Sequence, residues 1–394
     1  MVKKIFLLVT ALVAFASVFT FAGEASAAGA NVKVGLITLH GEISTYDLNF
    51  INATKAACEK AGIEYVIKTD IPEGDICYET AADLAKQGCN IVFADSFDHE
   101  KYLMRAAKEF PNVQFCHATG TLAHTEGLAN YHNAFAAIYE GRYLSGIAAG
   151  LKLNELIKNG KLNEQQAKLG YIGAFPYAEV ISGYTAFFLG ARSVCPSATM
   201  DVVFTNSWYD YDLESNAAKK LIEHGCAVIS QHADSMGAPS VYEAEGVFNV
   251  FYNGTLLESC PNTFLISSKI NWVPYFTYII NCVKSGEQIA TDWTGNLATG
   301  SVELTKANKK AAAHGTDKAV AKAKKAIEAG KLQVFDTKNF TVNGKSLTSY
   351  MADVDSDPNF TGDKEVISGG YFHESEYRSA PYFDLKIDGI NVIE

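Results

Sequence analysis

The chain has 394 residues and a net charge of −11, from 33 Lys and Arg against 44 Asp and Glu. Apolar residues make up 48% and charged residues 20%, which is typical of a folded globular protein and not of a disordered chain. The length allows two domains. The acidic balance argues against a general nucleic-acid binder, because such proteins need a basic face, but it leaves a single nucleotide or nucleoside open as ligand.

The N-terminal residues have the pattern of an export signal. Lys3 and Lys4 precede an apolar stretch over residues 5–22, and the small residues Ala-Ser-Ala follow at 25–27. We therefore interpret residues 1–27 as a cleaved signal peptide and expect the protein in the periplasm or at the cell surface. An uncleaved anchor is the alternative, against which the Ala-Ser-Ala site argues. No later apolar run approaches the roughly 20 residues of a membrane helix.

The sequence does not decide whether the cysteines form disulfides. An even number of cysteines in an exported protein suggests disulfides, but a chain of this length does not need them. Their spacing contains no metal-binding pattern, so we predict no metal site and assign no pairs. The eight residues are Cys58, Cys77, Cys89, Cys116, Cys195, Cys226, Cys260 and Cys282.

Strand-like and helix-like segments alternate after the signal. The pattern predicts strands at 32–39, 63–69, 91–94 and 113–117, and helices at 48–61, 81–87 and 102–109. Such alternation is typical of βαβ units and a parallel sheet. A helix rich in small residues at 141–151 and a polar link at 154–166 follow.

The pattern then repeats. The segment at 33–37 (KVGLI) is matched by 168–172 (KLGYI), Cys89 by Cys226 and Asp95 by Asp234, all at nearly the same offset. Chance similarity of α/β segments is the alternative. We predict an α/β fold with two doubly wound parallel-sheet lobes, and a ligand cleft where the carboxyl ends of their strands face each other.

The C-terminal part differs in character. Residues 319–329 form a basic amphipathic helix with a solvated face, and residues 335–394 contain strands and turns, with turn signals at 343–344 and 388–389. We interpret this part as a trailing extension without evident chemistry. The predicted divisions are a signal peptide at 1–27, a first lobe at 31–153, a second lobe at 167–258, a return to the first lobe through the hinge at 259–304, and the C-terminal helix and extension at 305–394.

Catalytic motifs are absent from the sequence. It contains no GxSxG, HExxH, P-loop or GxGxxG pattern. The segment 96–99 (SFDH) combines three catalytic residue types, but its spacing is more typical of a polar loop. His117 and His232 each follow an apolar strand, as structural histidines do. We therefore predict a protein without enzymatic activity and without a cofactor.

Aromatic residues at predicted strand ends point to a ligand site. Facing rings can sandwich a planar ligand, and nearby polar groups fix its orientation. The cleft lacks a basic cluster, which argues against a phosphorylated ligand, and Arg142 and Arg192 look structural. The candidate ligand-binding residues are Tyr46, Phe97, Phe175, Glu179, Trp208, His232, Asp234, Tyr252, Asn253 and Trp272.

Several short motifs, in order, resemble the BMP (basic membrane protein) family of ABC transporter substrate-binding proteins, and within it the purine-nucleoside receptors. The resemblance runs from about residue 33 to 335. It implies the type I periplasmic-binding-protein fold, with two lobes and a hinge of three strands. The motifs are 117–120 (HATG), 139–150, 175–183 (FPYAEVISG), 189–194 (LGARSV), 206–210 (NSWYD), 231–235 (QHADS) and 271–272 (NW).

The resemblance also implies roles for single residues. Tyr46 and Trp208 occupy the positions of the family's two ring-stacking aromatics. The family's Tyr-Asp pair is here Tyr252-Asn253, and the Thr of its Gln-His-Thr-Asp segment is Ala233. The family's Gly-Asp appears as Gly41-Glu42. These departures concern the ligand and not the fold.

The sequence thus predicts an exported solute-binding protein whose lobes close on a purine base, nucleoside or similar flat heterocycle. We expect it to be a monomer and to deliver its ligand to an ABC permease. One alternative is a binding protein for another small solute such as a sugar. A second is an exported nucleoside-cleaving hydrolase that uses Asp95, Asp98 and Asp234. A signalling receptor without a permease is a third.

Overall fold

The structure, a computed structural model, describes residues 32–355 and 362–394. The predicted signal peptide lies outside the described residues. Within them, no helix combines the length and the apolar character that crossing a bilayer requires.

The first lobe begins with five strands that alternate with helices. In chain order these elements are β1 (Lys33–Ile37), α1 (Thr45–Ala61), β2 (Glu64–Lys68), α2 (Asp75–Lys86), β3 (Ile91–Ala94), α3 (Glu100–Glu109), β4 (Gln114–Ala118), α4 (Ala123–Glu126) and β5 (Tyr131–Ala136). Helix α1 packs on one face of the sheet, and α2 and α3 pack on the other. Strands β1, β3, β4 and β5 are buried almost throughout, whereas the edge strand β2 is exposed or half-buried.

The second lobe repeats this arrangement. Its elements are α5 (Ile138–Lys158), β6 (Lys168–Gly173), α6 (Ala178–Arg192), β7 (Thr199–Phe204), α7 (Tyr211–Glu223), β8 (Val228–His232), α8 (Gly237–Glu245), β9 (Phe248–Tyr252) and β10 (Phe264–Ile270). Helices α5 and α6 cover one face, and α7 and α8 cover the other.

The remaining elements are divided among the first lobe, the second lobe and two separate two-stranded sheets. They are α9 (Val273–Ser285), β11 (Asp292–Gly295), β12 (Val302–Leu304), α10 (Thr316–Glu328), β13 (Met351–Ala352), β14 (Lys364–Glu365), β15 (Ile367–Ser368), β16 (Tyr371–Phe372) and β17 (Ile390–Val392). The separate sheets are β13-β14 and β15-β16. Helix α9 packs against α1 in the first lobe, and α10 packs against α5 in the second.

The strand order bears out the predicted repeat. The first sheet has the order β11-β5-β4-β3-β1-β2, and the second has β12-β10-β9-β8-β6-β7-β17. The first five strands of each copy therefore pair in the same order. All pairings of the first sheet are parallel, and in the second only β12 runs antiparallel to its neighbour. This is the predicted doubly wound α/β fold.

Helix α5 lies in the second lobe, although the sequence prediction extended the first lobe to residue 153. The reason is close backbone contact between α5 and α6. A Cβ added to Gly146 would lie 2.0 Å from the carbonyl oxygen of Phe187, and one added to Gly190 would lie 2.0 Å from that of Tyr143. The small residues of α5 therefore serve its packing on α6, and the chain crosses between the lobes before α5 begins.

The predicted return to the first lobe at 259–304 is also corrected. This segment supplies α9 and β11 to the first lobe, but β10 and β12 to the second sheet. The chain crosses between the lobes after β5, after β10 and after β11. Three crossings match the hinge of three strands that the resemblance implies.

Residues 332–355 and 362–394, here called the C-terminal strap, are packed against both lobes. Phe335 stacks on Phe383 at 4.4 Å between ring centres and contacts Tyr139 of α5 at 5.2 Å. Strand β17 pairs in parallel with β7 at the edge of the second sheet. On the first lobe, the backbone nitrogen and Oγ of Ser379 both donate to Asp292 Oδ1 at 2.8 Å. The strap is thus an integral part of the fold.

All eight cysteines are buried and unpaired. Cys58, Cys77, Cys116 and Cys282 lie within helices or strands, where they pack as small apolar residues. Burial raises the pKa of the Cys77, Cys116 and Cys226 thiols to about 12 in each case. The open question of pairing is therefore answered in favour of free thiols.

Candidate functional site

A cavity lies between the lobes, where the carboxyl ends of the central strands of both sheets face each other. The first lobe contributes the start of α1 and the loops after β1, β3 and β4. The second lobe contributes the start of α6, the loops after β7 and β8, and the last residues of β8 and β9. Its lining residues are Leu39, His40, Tyr46, Asp47, Asp95, Ser96, Phe97, Thr119, Glu179, Trp208, His232, Asp234 and Tyr252. This is the position that the repeated topology predicts for a ligand.

Seven of the ten candidate residues line this aromatic cavity, and three do not. The seven are Tyr46, Phe97, Glu179, Trp208, His232, Asp234 and Tyr252. Phe175, Asn253 and Trp272 lie elsewhere, each for a packing reason that the sequence does not reveal.

Trp272 belongs to the core of the first lobe. It is 1% exposed and stacks on Phe50 at 4.4 Å between ring centres. Asn253, buried with a φ of +63°, accepts a hydrogen bond from the backbone nitrogen of Ile270 and so links β9 to β10. Phe175 meets Trp208 edge-on at 5.3 Å and supports that ring from outside the cavity.

Tyr46 is placed by the start of α1. The Ser44 side chain caps this helix by accepting from the Asp47 backbone nitrogen, which puts Tyr46 in the first turn. The Tyr46 hydroxyl donates to the carbonyl oxygen of Asp95 at 2.9 Å. Burial raises the pKa of Tyr46 well above its usual value, so its hydroxyl remains a donor.

Trp208 approaches the same cavity from the second lobe. It lies in the loop between β7 and α7, and its carbonyl oxygen accepts from the backbone nitrogen of Asp234 at 2.9 Å. The rings of Phe175 and Tyr177 pack against its indole. Trp208 and Tyr46 thus bring two aromatic side chains from opposite lobes to one cavity.

The lobes touch around this cavity. Phe97 of the first lobe stacks on Tyr177 of the second at 5.2 Å between ring centres, and His40 lies 5.3 Å from Tyr209. The Thr45 hydroxyl donates to the carbonyl oxygen of Tyr252 at 3.3 Å. The cavity encloses about 30 Å³, roughly the space of one water molecule. A planar ring therefore enters only when the lobes move apart.

Acidic side chains surround the aromatic rings. Asp47 accepts from the His40 backbone nitrogen at 2.8 Å, and Asp95 accepts from that of Leu39 at 3.1 Å. Burial, followed by the negative charge of Asp47, raises the pKa of Asp95 well above its usual range. The same two causes raise the pKa of Asp234. A raised pKa favours the protonated form of Asp95 and Asp234, which can donate a hydrogen bond as well as accept one.

His232 and Glu179 form a buried pair in the second lobe. His232 Nε2 lies 3.2 Å from Glu179 Oε1. Burial, and next the charge of Arg142, lower the pKa of His232, so the imidazole is neutral and donates to the carboxylate. Arg142 lies behind the cavity, with its guanidinium 3.7 Å from the centre of the Tyr252 ring. Its structural role agrees with the sequence interpretation.

Six lining residues were not among the ten candidates, namely Leu39, His40, Asp47, Asp95, Ser96 and Thr119. Asp47 adjoins Tyr46, and Asp95 and Ser96 belong to the repeat, so position alone could have suggested them. Thr119 has a φ of +63°, which is a strained conformation for a β-branched residue. Such strain is typical of functional sites but leaves no mark on a single sequence.

The segment 96–99 does not form a catalytic triad. Ser96 Oγ donates to Glu73 at 2.6 Å, whereas His99 Nε2 lies 2.9 Å from the carbonyl oxygen of Ile71. Burial lowers the pKa of His99 to about 4. Asp98 is exposed and lies outside the aromatic cavity. Among the described residues, three carboxyls close enough to share a cation occur in the strap, at Asp353, Asp355 and Asp363.

Two α/β lobes with a cleft at facing strand ends define the type I periplasmic-binding fold. Two solved solute-binding proteins of ABC transporters share this fold. That from Conexibacter woesei has a TM-score of 0.62 at 18% identity and covers 77% of this chain and 98% of its own. That from Aeropyrum pernix has a TM-score of 0.64 at 16% identity and covers 77% and 93%.

The chain belongs to the Bmp family of PnrA-like ABC transporter substrate-binding proteins, which it matches over residues 44–335. It is 32% identical over 259 residues to a purine-binding protein of Brucella abortus, covering 64% of this chain and 69% of that protein. It is 31% identical over 216 residues to a putative ABC transporter glucose-binding protein of Haloferax volcanii, covering 55% and 51%. Members of the family are extracytoplasmic binding proteins, not enzymes, and pass a small molecule to a permease.

Proposed function

We propose that the protein binds a purine base, nucleoside or similar flat heterocycle between its lobes and delivers it to an ABC permease. The observation that carries this proposal is the pair Tyr46 and Trp208, which come from opposite lobes and line one cavity. Two such rings stack on both faces of a planar ligand only when the lobes close, so ligand binding and closure are coupled.

The acidic groups around the rings suit the edges of a purine nucleoside. Purine N–H and amino groups and ribose hydroxyls are hydrogen-bond donors, for which Asp47, Glu179 and Asp234 supply acceptors. The raised pKa of Asp95 favours its protonated form, which can donate to an acceptor nitrogen of the ring. Phosphate groups are disfavoured because they would approach several carboxyls.

The named relatives favour this class and also define the competing one. The Brucella abortus relative is described as purine-binding, and the Haloferax volcanii relative as putatively glucose-binding. A sugar can also stack on Trp208 and bind to carboxylates. We rank sugars as the second candidate, because binding a sugar would not explain why an aromatic ring lines the cavity from each lobe.

A thermal-unfolding screen tests the proposal. The panel contains purine bases, nucleosides, flavins, thiamine-like rings and monosaccharides. A purine compound at a hundredfold excess over its Kd should stabilise the protein by about 2.7 kcal/mol. Shifts with monosaccharides alone, or no shift with any heterocycle, would contradict it. Chromatography of the bound nucleoside should recover it intact, and a cleaved product would indicate the hydrolase.

We further propose that the protein is exported, that its lobes close by a hinge motion, and that it is a monomer. We infer that residues 1–27 are removed during export, so the mature chain should begin at Ala28. Mass measurement of protein secreted by the native host tests the cleavage site. Light scattering at the concentrations used for binding tests the monomer.

A further inference from the structure

A second, larger cavity adjoins the aromatic cavity. It has a volume of about 390 Å³, within the range of small-molecule sites. Three parts of the chain line it, namely the first lobe, the second lobe and the C-terminal strap. The strap contributes Asp353, Arg378, Ala380 and Pro381. We call this space the strap chamber.

The strap chamber and the aromatic cavity share a wall. Phe97, Thr119 and Glu179 line both spaces. Tyr252, His232 and Asp234 line the aromatic cavity but not the strap chamber. A ring held between Tyr46 and Trp208 can therefore extend a substituent past Phe97 and Thr119 into the chamber, away from Tyr252.

The strap wall of the chamber is held in place by hydrogen bonds. The Arg378 guanidinium is buried and donates to the carbonyl oxygens of Val354, Ala380 and Pro381 at 3.1 to 3.2 Å. Next to it, Ser379 donates twice to Asp292 of β11. Side chains locked in this way form a binding wall with a defined shape.

We propose that the strap chamber is a ligand subsite that accepts an uncharged, hydrogen-bonding substituent on the flat ring, and that the strap thereby determines ligand selectivity. This inference rests on the proposed function of the aromatic cavity. The wall residues from 353 onward lie beyond residues 44–335, where the chain matches its family. The strap wall of the subsite therefore lies outside the part of the chain that matches the family.

The charges around the chamber determine which substituents fit. Asp98, Glu100, Glu179 and Asp353 are acidic, whereas Lys101 and Arg378 are basic. Glu100 is already engaged, because it accepts from the backbone nitrogens of Thr121 and Leu122. Carboxyl groups outnumber basic groups around the chamber by four to two, which disfavours an anionic substituent and favours hydroxyl or amide groups.

The test uses purines that carry a short hydroxyalkyl group at ring position 2, 6, 8 or 9. Calorimetry gives the Kd of each compound and of the unsubstituted purine, for the full chain and for Ala380→Trp. The larger side chain should fill the chamber. For at least one ring position, the full chain should bind the substituted compound as tightly as the parent, and Ala380→Trp should raise the ratio of the two Kd values at least tenfold.

Two further variants and one further compound make the outcome decisive. Thr121→Trp fills the chamber from the first lobe and should have the same effect if Ala380→Trp fails to fold. Lys386→Trp puts the same indole at an exposed strap position and should leave the ratio unchanged. A carboxyalkyl group at the same ring position should bind at least tenfold more weakly than the hydroxyalkyl group.

The results separate the two proposals. If parent and substituted purines all fail to bind, the proposed function is wrong and the subsite with it. If purines bind but every substituted compound is rejected, the subsite alone is overturned. The same holds if the ratio of the Kd values of substituted and parent purine is the same in Ala380→Trp and Thr121→Trp as in Lys386→Trp. Equal affinity for the carboxyalkyl compound would overturn its assigned chemistry.

Discussion

Glu179 and His232 are joined at 3.2 Å, between Oε1 of the carboxylate and Nε2 of the imidazole, and both side chains are buried. The first turn of α6 carries Glu179, and the end of β8 carries His232. The contact therefore links two elements at the floor of the cleft. It also aims the carboxylate at the wall that the aromatic cavity shares with the strap chamber.

Replacing this carboxylate should weaken ligand binding. Glu179→Gln keeps the size of the side chain but removes the charged acceptor. Hydrogen bonds to charged groups contribute about 1.5–3 kcal/mol, so we expect roughly a ten- to hundredfold rise in the Kd of the purine ligand by calorimetry. The matched control is Glu245→Gln at an exposed position of α8. Equal affinities of the two variants would contradict a role in binding.

The aromatic clamp makes a second prediction. Trp208→Ala removes one stacking face and should raise the Kd about 5- to 150-fold, because stacking of a base on an aromatic side chain contributes about 1–3 kcal/mol. Trp208→Phe should recover most of the affinity. Tyr211→Ala, at a half-exposed position of the same lobe, is the control. Wild-type affinity in both Tyr46→Ala and Trp208→Ala would rule out the clamp.

Glu374 in the strap should make stability depend on pH. Burial raises its pKa from 4.5 to about 8. Between these values the folded protein keeps a proton that the unfolded chain has released, so this contribution is fully present below pH 4.5 and is lost as the pH rises to 8. Relative to Glu374→Gln, the wild type should lose on the order of a few kcal/mol over this range.

Urea unfolding of both proteins at several pH values measures this difference. Comparison with Glu374→Gln is needed because buried histidines act in the opposite direction. Burial lowers the pKa of His117 and of His132 to about 4, so they destabilise the fold as the pH falls below 6.5. They are common to both proteins and cancel. A wild-type-to-variant difference that is constant with pH would refute the prediction.

Contact between the backbones of α5 and α6 predicts a strict requirement for glycine. Gly190→Ala would place a Cβ 2.0 Å from the carbonyl oxygen of Tyr143, so the helices must separate. We expect a loss of at least about 3 kcal/mol in the free energy of unfolding. Gly41→Ala is the control, because its Cβ meets nothing closer than 3.6 Å. Similar melting temperatures of the two variants would show that α5 and α6 can move apart without loss of stability, which would contradict the prediction.

The thiols give a prediction that needs no ligand. Eight buried, unpaired cysteines should be unreactive toward a thiol reagent in the native protein. In denaturant without reductant, all eight should react. Fewer than eight reactive thiols after unfolding would indicate disulfides in the natural protein.

The architecture could be predicted from the sequence because the patterns that indicate it lie within short segments of the chain. Alternating apolar segments predicted the two sheets, and the similarity of 33–37 to 168–172 predicted their shared topology. Aromatic residues at strand ends located the cleft. Each of these signals depends on neighbours in the chain or on a copied segment. The strand order bears out the predicted sheets and their repeat, and seven of the ten candidate residues line the cavity between the lobes.

The sequence predictions were wrong where the position of a residue depends on packing against residues far away in the chain. Trp272 has the sequence context of a cleft residue, but it fills a space beside Phe50 that exists only once α1 has packed. The small residues of α5 do not reveal which helix they contact. The strap looked like a trailing extension, because its position depends on Asp292, 87 residues before Ser379. Single-sequence patterns do not encode such pairings.

The pairing of β17 with β7 also bears on solubility. An unpaired edge of β7 would offer a row of free backbone donors and acceptors to another molecule, which is a common route to aggregation. Strand β17 covers this edge over Met200–Val202 and is itself only three residues long, with exposed Asn391 and Val392. Proteolysis or truncation before residue 390 should therefore cause self-association through the second sheet even where ligand binding persists.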